Sequence, residues 1–297
     1  MTHRILVTGR RGQLAGAIAA ADPSGLDVQA IGRPGLDLTD PASIDAALDS
    51  VQPDLIVNTA AYTNVDGAER EPDACRAVNV DGTRDLAEAA GQRGLALMHI
   101  STDCVFDGRG DHAYRETDRP SPLSVYGASK LAGEEAVCQR VPRHLVIRVS
   151  WVFSRFGSSF PEAMLRLARE RDSVSVVSDQ RGCPTHAEDL AAGLLEIAAQ
   201  ALRPGFGDWG IYHLAGRGHT DRASMAAAIF ADSAGFGGPS ARVRPVLTAD
   251  YGAPARRPLN ARLDSRKVAD RFGVELPHWR QRLRECVREL VRQGDQA

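Results

Sequence analysis

The chain has 297 residues, enough for one large domain or two smaller ones with a sizeable core. Hydrophobic residues make up 43 % and charged residues 25 %, the balance of an ordinary globular protein, and a net charge of −2 gives no basic footprint for nucleic acid. Apolar runs such as 190–202 are interrupted by Glu196 and fall short of a membrane span. The five cysteines (75, 104, 138, 183 and 286) are scattered and never form C-x-x-C, so free thiols in a reducing cytoplasm are expected and a metal cluster is not. A strand under way by Ile5 leaves no room for a signal peptide.

Residues 4–8 (RILVT) form a short β-branched run that meets Gly9, Gly12 and an Ala-rich segment. Strand, glycine turn and helix open a dinucleotide-binding unit. Gly9 permits the tight turn, and Gly12 lets the backbone approach a pyrophosphate at the helix N-terminus, with Ala15 as the small packing position. The second strand, 28–31, ends at Gly32-Arg33, where an acidic residue would otherwise accept bonds from ribose hydroxyls. Arg33, with Arg10 and Arg11, suits a 2′-phosphate, so NADPH is expected over NADH; the same arginines could be plain surface charge.

Asp40-Pro41 reads as the start of a helix running to about residue 50. Residues 54–61 (DLIVNTAA) read as a buried parallel strand. Ligands bind beyond the carboxyl ends of such strands, so Ala60, Ala61 and Tyr62 would border the cofactor. A long helix is expected over 72–94, with Asn79 as a buried structural amide. Residues 95–101 form the next strand and deliver Thr102 and Asp103 to the same edge. In SVYGASK (124–130), Tyr126 and Lys130 are four apart and share a helical face. An ammonium beside a phenol lowers its pKa, which lets Tyr126 exchange a proton with a substrate oxygen that Thr102 also holds. The spacing alone is common, and the rest of the chain has to carry the case.

Residues 145–153 read as a further strand, with Trp151 at its end either packed in the core or stacking on a nucleobase or sugar. Alternating strands and helices to about residue 170 predict a doubly wound parallel sheet, a Rossmann-type α/β fold. Residues 171–297 would form a smaller C-terminal α/β substrate domain, some of its segments returning to the first. A helix is expected over 158–170, a strand over 174–177, and a capping box (Thr185, Glu188) opening a helix over 187–202. A strand follows at 211–215. Residues 234–261 look like loops bordering a cleft, where Arg256, Arg257 and Arg262 either meet an anionic substrate or are surface charge. The tail has helical apolar spacing and reads as a packed terminal helix.

Assembled, GRRGQL, PDLIVNTAAYTNVDGAE, NVDGTRDLAEAA, STDCVFDG, SPLSVYGASKLAGE, SWVF, DQRGCPT, IYHLAG and RPLNARLD make the chain resemble an extended short-chain dehydrogenase/reductase. Within that superfamily it is similar to the dTDP-4-dehydrorhamnose reductase family over nearly the whole length. The resemblance implies NAD(P)H-dependent reduction of a 4-keto-6-deoxy sugar carried on a nucleotide diphosphate. It implies that Tyr126 protonates the oxygen, Thr102 holds the carbonyl, and Lys130 acidifies Tyr126 and contacts the nicotinamide ribose. Gly9, Gly12, Gln13 and Leu14 would form the pyrophosphate loop, Asp37 and Leu38 would lie near the adenine, and Ala60, Ala61 and Tyr62 would line the channel. Val65, Asp103 and Trp151 fall where the family contacts substrate. A homodimer is compatible with it, and no metal site carries over.

There are departures from the family pattern: Cys104 stands where an aromatic residue is usual, Cys183 and His186 where other types are common, and Gly32 where NADH users carry an acid. Two alternatives stay open. One is a 4-ketoreductase for another activated deoxysugar, such as dihydrostreptose. The other is a non-catalytic regulatory relative, against which the intact Thr102, Tyr126 and Lys130 speak.

Overall fold

The computed structural model describes residues 2–294 except 22 and 24. From the N-terminus the chain forms β1 (His3–Thr8), α1 (Gln13–Ala20), β2 (Leu26–Ile31), α2 (Pro41–Val51) and β3 (Leu55–Asn58). Next come α3 (Val65–Arg70), α4 (Pro72–Arg76), a π turn (Ala77–Gly82), α5 (Thr83–Gln92), β4 (Ala96–Thr102), α6 (Val125–Arg140) and β5 (His144–Val149). The remainder is β6 (Val152–Phe153), α7 (Phe160–Glu170), β7 (Ser173–Val177), β8 (Arg181–Gly182), β9 (Thr185–His186), α8 (Ala187–Ala201) and β10 (Gly210–His213). After these stand β11 (Thr220–Asp221), α9 (Arg222–Gly235), β12 (Arg242–Val246), α10 (Thr248–Tyr251), β13 (Asn260–Ala261), α11 (Arg266–Phe272) and α12 (Trp279–Gly294).

Six strands make one sheet in the order β10-β5-β4-β3-β1-β2, every pairing parallel. The alternation of side chains along each strand decides which helices cover which face. Ile5, Val7, Leu55, Val57, Met98 and Ile147 pack with Leu14 and Ile18 of α1, Leu190 and Leu194 of α8, and Val268 of α11. Leu6, Ile56, Leu97 and Val146 point the other way, against Ile44 and Leu48 of α2, Leu86 of α5 and Val137 of α6. The result is the doubly wound Rossmann-type sheet expected from the sequence. α8, β10 and α11 belong to it although they follow residue 170. A smaller core joins α7, α9, α12 and β7 through Leu165, Val176, Ile229, Leu283 and Val287.

Both N-caps that frame the site form as residue chemistry dictates. Asp40 accepts from Ala42 N at 3.0 Å, with Pro41 in the first turn. Ser124 accepts from Gly127 N at 3.1 Å and so fixes where α6 begins, one residue before Val125. A buried ion pair then locks α6 onto the sheet: Arg148 Nη2 of β5 donates to Glu134 Oε2 at 2.7 Å, with Ser101 also on that carboxylate. Taking one partner away would strand a buried charge, a loss of roughly 3–5 kcal/mol.

Several expectations need correcting. The expected strand 145–153 stops at Val149, because Trp151 has φ +45°, and β6 pairs with β9 instead of the central sheet. The helix over 72–94 is interrupted by the π turn, and α3 precedes it. The capping box fails: His186 occupies the N-cap, and Thr185 Oγ1 donates to Cys183 O at 3.0 Å. The stretch 234–261 is not all loop, since β12 pairs in parallel with β7 over five residues. The terminal helix packs as expected, burying Trp279, Leu283, Cys286, Val287 and Val291. Among the described residues no helix is long and apolar enough to cross a membrane.

Candidate active site

The carboxyl ends of β1, β3 and β4 open onto a cleft of about 1380 Å³. A single-ligand pocket is usually ~300–1,000 Å³, so there is room for two ligands here. The residues assigned to catalysis, cofactor and substrate all line it: Gly9, Gly12, Gln13, Leu14, Arg33, Asp37, Leu38, Ala60, Ala61, Tyr62, Val65, Thr102, Asp103, Tyr126, Lys130 and Trp151.

At one end, Gly9 turns the chain with φ +93° while its N–H donates to Ile31 O at 2.7 Å. Gly12 is the extended N-cap of α1, with no side chain capping the helix and open space where a Cβ would stand. The first N–H groups of α1 are therefore free for an anion. Gln13 Oε1 is buried and has no hydrogen-bond partner. An unsatisfied buried acceptor beside an uncapped helix start fits a dinucleotide, whose pyrophosphate and hydroxyls supply the missing partners. Tyr62 is fixed by Asn79, which accepts from Tyr62 N at 2.8 Å and donates to Tyr62 O at 3.0 Å and Ser129 Oγ at 2.9 Å. Asn79 is thus the structural amide expected. At the tip of β2, Arg33 is exposed, and Asp37 accepts from Thr39 N (3.0 Å) and Oγ1 (2.8 Å), bonds that lower its pKa.

In the middle lie Thr102, Tyr126 and Lys130. Thr102 Oγ1 accepts from Cys104 N and donates to Asp103 Oδ1, both at 3.1 Å. The electrostatics differ from the sequence expectation that Lys130 acidifies Tyr126. Burial, reinforced by Cys104, pushes the phenol well above its ordinary value, and the Thr102 hydroxyl is what pulls it down. Lys130, itself 2 % exposed, is lowered to about 8 by burial, with Glu134 pulling it back up. Its Nζ lies 3.2 Å from His99 Nε2, and His99 Nδ1 lies 3.0 Å from Asn58 Nδ2. Burial and the neighbouring Lys130 keep His99 neutral at ordinary pH. A neutral imidazole accepts at only one nitrogen, so it cannot take protons from both a charged Lys130 and the Asn58 amide in this orientation. The orientation of the Asn58 amide and the charge on Lys130 are thereby coupled.

At the far end, Asp103 accepts from Ser150 Oγ at 2.6 Å, and burial raises its pKa. Trp151 does not present a free face. One side of its indole packs on Gly182, where a Cβ would overlap the ring, and the guanidinium of Arg222 covers the ring at 3.6 Å from its centroid. Of the three arginines proposed for an anionic ligand, Arg257 lines the cleft but grips Asp66 with two bonds of 3.0 and 2.8 Å. Arg262 is bound to Asn260 and to Asp111 O, and Arg256 is exposed outside the cleft. The sequence reading missed Arg222, Gln180 and His99. Gln180 lies in the quoted DQRGCPT motif and His99 just ahead of STDCVFDG, whereas Arg222, on the first turn of α9, carried no local signal.

The family model described as RmlD substrate binding domain matches residues 3–292. A dTDP-4-dehydrorhamnose reductase of Sinorhizobium fredii is 42 % identical, the match covering 99 % of this chain and 100 % of that one. That of Escherichia coli K12 is 38 % identical, covering 96 % and 97 %. A crystal structure of dTDP-4-dehydrorhamnose reductase from Bacillus anthracis in complex with NADP superposes with a TM-score of 0.89 at 32 % identity, covering 97 % of this chain and 100 % of that one. A UDP-glucose 4-epimerase of Thermus thermophilus, 22 % identical with a TM-score of 0.77, shares the fold. With matches of this length and identity, the chain belongs to the dTDP-4-dehydrorhamnose reductase family.

Proposed function

We propose that this chain reduces the 4-keto group of dTDP-4-dehydro-L-rhamnose, giving dTDP-L-rhamnose, with NADPH as the reductant. The observation that carries the reading is that Thr102, Tyr126 and Lys130 face the same cleft as the uncapped start of α1. NADPH bound there supplies a hydride to the sugar C4. The chain's own groups manage the oxygen. Burial keeps Tyr126 neutral, so the phenol holds the proton it must deliver as negative charge develops on that oxygen. Thr102, turning its hydroxyl from Asp103 Oδ1, donates a second hydrogen bond to the same atom. Lys130, cationic below about pH 8, sits one helical turn from Tyr126 and reaches the nicotinamide ribose.

Gly9, Gly12, Gln13 and Leu14 take the pyrophosphate, Arg33 the 2′-phosphate, Asp37 and Leu38 the adenosine side, and Ala60, Ala61 and Tyr62 the channel between. Val65, Asp103 and Trp151 belong to the sugar-nucleotide end. We assign cofactor binding to the central sheet and its helices, and the outer wall of the substrate end to the cluster of α7, α9 and α12. A cytoplasmic homodimer goes with this reading, and five free thiols suit a reducing compartment.

The test is oxidation of NADPH on adding dTDP-4-dehydro-L-rhamnose. Tyr126→Phe should lower turnover by about two to four orders of magnitude while NADPH still binds. Near-normal turnover in that variant overturns the assignment. Cys104, a small side chain beside Tyr126, favours a second reading in which the sugar is another activated 4-keto deoxysugar, and a panel of such substrates separates the two.

A further inference from the structure

Arg222 is the cation at the substrate end of the cleft that has no hydrogen-bond or ion-pair partner among the described residues. Its neighbour Arg257 is already held by Asp66. Asp103 lies beside Arg222, yet its two oxygens accept from Thr102 and Ser150, and the structure gives no contact between that carboxylate and the guanidinium. What holds Arg222 is a stack: its Cζ sits 3.6 Å from the Trp151 ring centroid and 5.0 Å from that of Phe160. Stacking occupies the face of a guanidinium and leaves its five N–H donors, all in the plane, without acceptors.

The platform is itself costly to build. Trp151 adopts φ +45°, a conformation rare for a bulky residue, and Gly182 is needed beneath the indole because any Cβ there would overlap it. Burial brings the Arg222 pKa down to about 10, so the side chain is still charged at neutral pH. A strained, closely packed support thus presents to the cleft one planar fork whose charge Asp103 offsets only through space and whose N–H groups have no acceptor. The group that matches such a fork in charge and geometry is a phosphate.

We propose that Arg222 anchors the diphosphate of the nucleotide sugar, with Trp151 serving as the platform for that guanidinium and not as a surface for the base. The assignment rests on the functional reading given above. Arg222→Met removes the charge while keeping an unbranched side chain over the indole, and Arg222→Lys restores charge without the fork. By titration calorimetry, Arg222→Met should weaken dTDP and dTDP-rhamnose by about ten- to a hundredfold, the range of a lost charge-assisted hydrogen bond. Thymidine and NADPH should bind as in the unaltered protein, Arg222→Lys should recover part of the loss, and in turnover the effect should fall on KM more than on kcat. Unchanged dTDP affinity in Arg222→Met overturns the proposal. So does a loss confined to dTDP-rhamnose, which would mark a sugar contact. An unaltered protein that binds neither nucleotide sinks the functional reading itself, an outcome distinct from failure of the variants alone.

Discussion

At the cofactor end of the cleft the groups that face the ligand are largely backbone amides and small residues in the turns after β1, β2 and β3. At the substrate end they are side chains gathered from segments scattered between Val65 and Arg257. In the proposed assignment Gly9 and Gly12 act by lacking a side chain and Ala60 and Ala61 by having a small one. In the same assignment Asp103, Trp151 and Arg222 act through the one they have. A backbone-built end depends on φ angles and the absence of Cβ atoms, so it tolerates little there and much elsewhere. A side-chain-built end can be re-cut for another sugar without disturbing the sheet.

The largest effect that separates the two ends comes from Gly9→Val. Its φ of +93° lies where a β-branched residue is strained, although a Cβ would meet Thr59 Oγ1 only in ordinary contact at 3.4 Å. Strain of about 1–3 kcal/mol should appear as a lower Tm and an NADPH affinity reduced more than tenfold, with dTDP affinity kept. Equal losses of both ligands would break the division between the ends. A smaller effect is expected of Arg33→Ala, the exposed cation at the tip of β2. Titration should show NADPH weakened by about tenfold and NADH hardly at all. If both cofactors lose equally, Arg33 is surface charge and the cofactor end is backbone alone.

The smallest effect concerns Lys130, where the two ends meet. Burial lowers its pKa from 10.5 to about 8, against the pull of Glu134 and with neutral His99 at 3.2 Å. kcat/KM should therefore fall as pH rises through about 8, when the ammonium loses its proton. Because the folded value lies below the unfolded one, folding expels a proton between about 8 and 10.5, and the protein gains stability as pH rises across that window. A profile flat to pH 10 would show that Lys130 does not carry its charge into the rate-limiting step.

The sheet and the turns that line one end of the cleft were legible because their signals are local. β-branched runs, the Gly9 turn, the Asp40-Pro41 helix start and the small residues after β3 each declare themselves within a few positions. The break at Trp151 was not, because its left-handed backbone is held by Gly182 and Arg222, which are remote in sequence. β12 escaped notice because its run, RVRPV, carries two arginines and a proline and forms only beside β7. The acidity of Tyr126 was misjudged for a related reason. Spacing shows that Lys130 is one turn away, but not that the amine is buried, the phenol partly so, or that the amine meets His99.

β10 has a consequence for how this chain is made. It is the outermost strand of the sheet, and its residues 210–213 supply the hydrogen-bonding partner for 145–148 of β5. Until translation has moved well past residue 213, β5 is a naked edge bearing Leu145, Val146 and Ile147, the kind of template that recruits other strands. A chain cut short of that point should offer this edge to other strands.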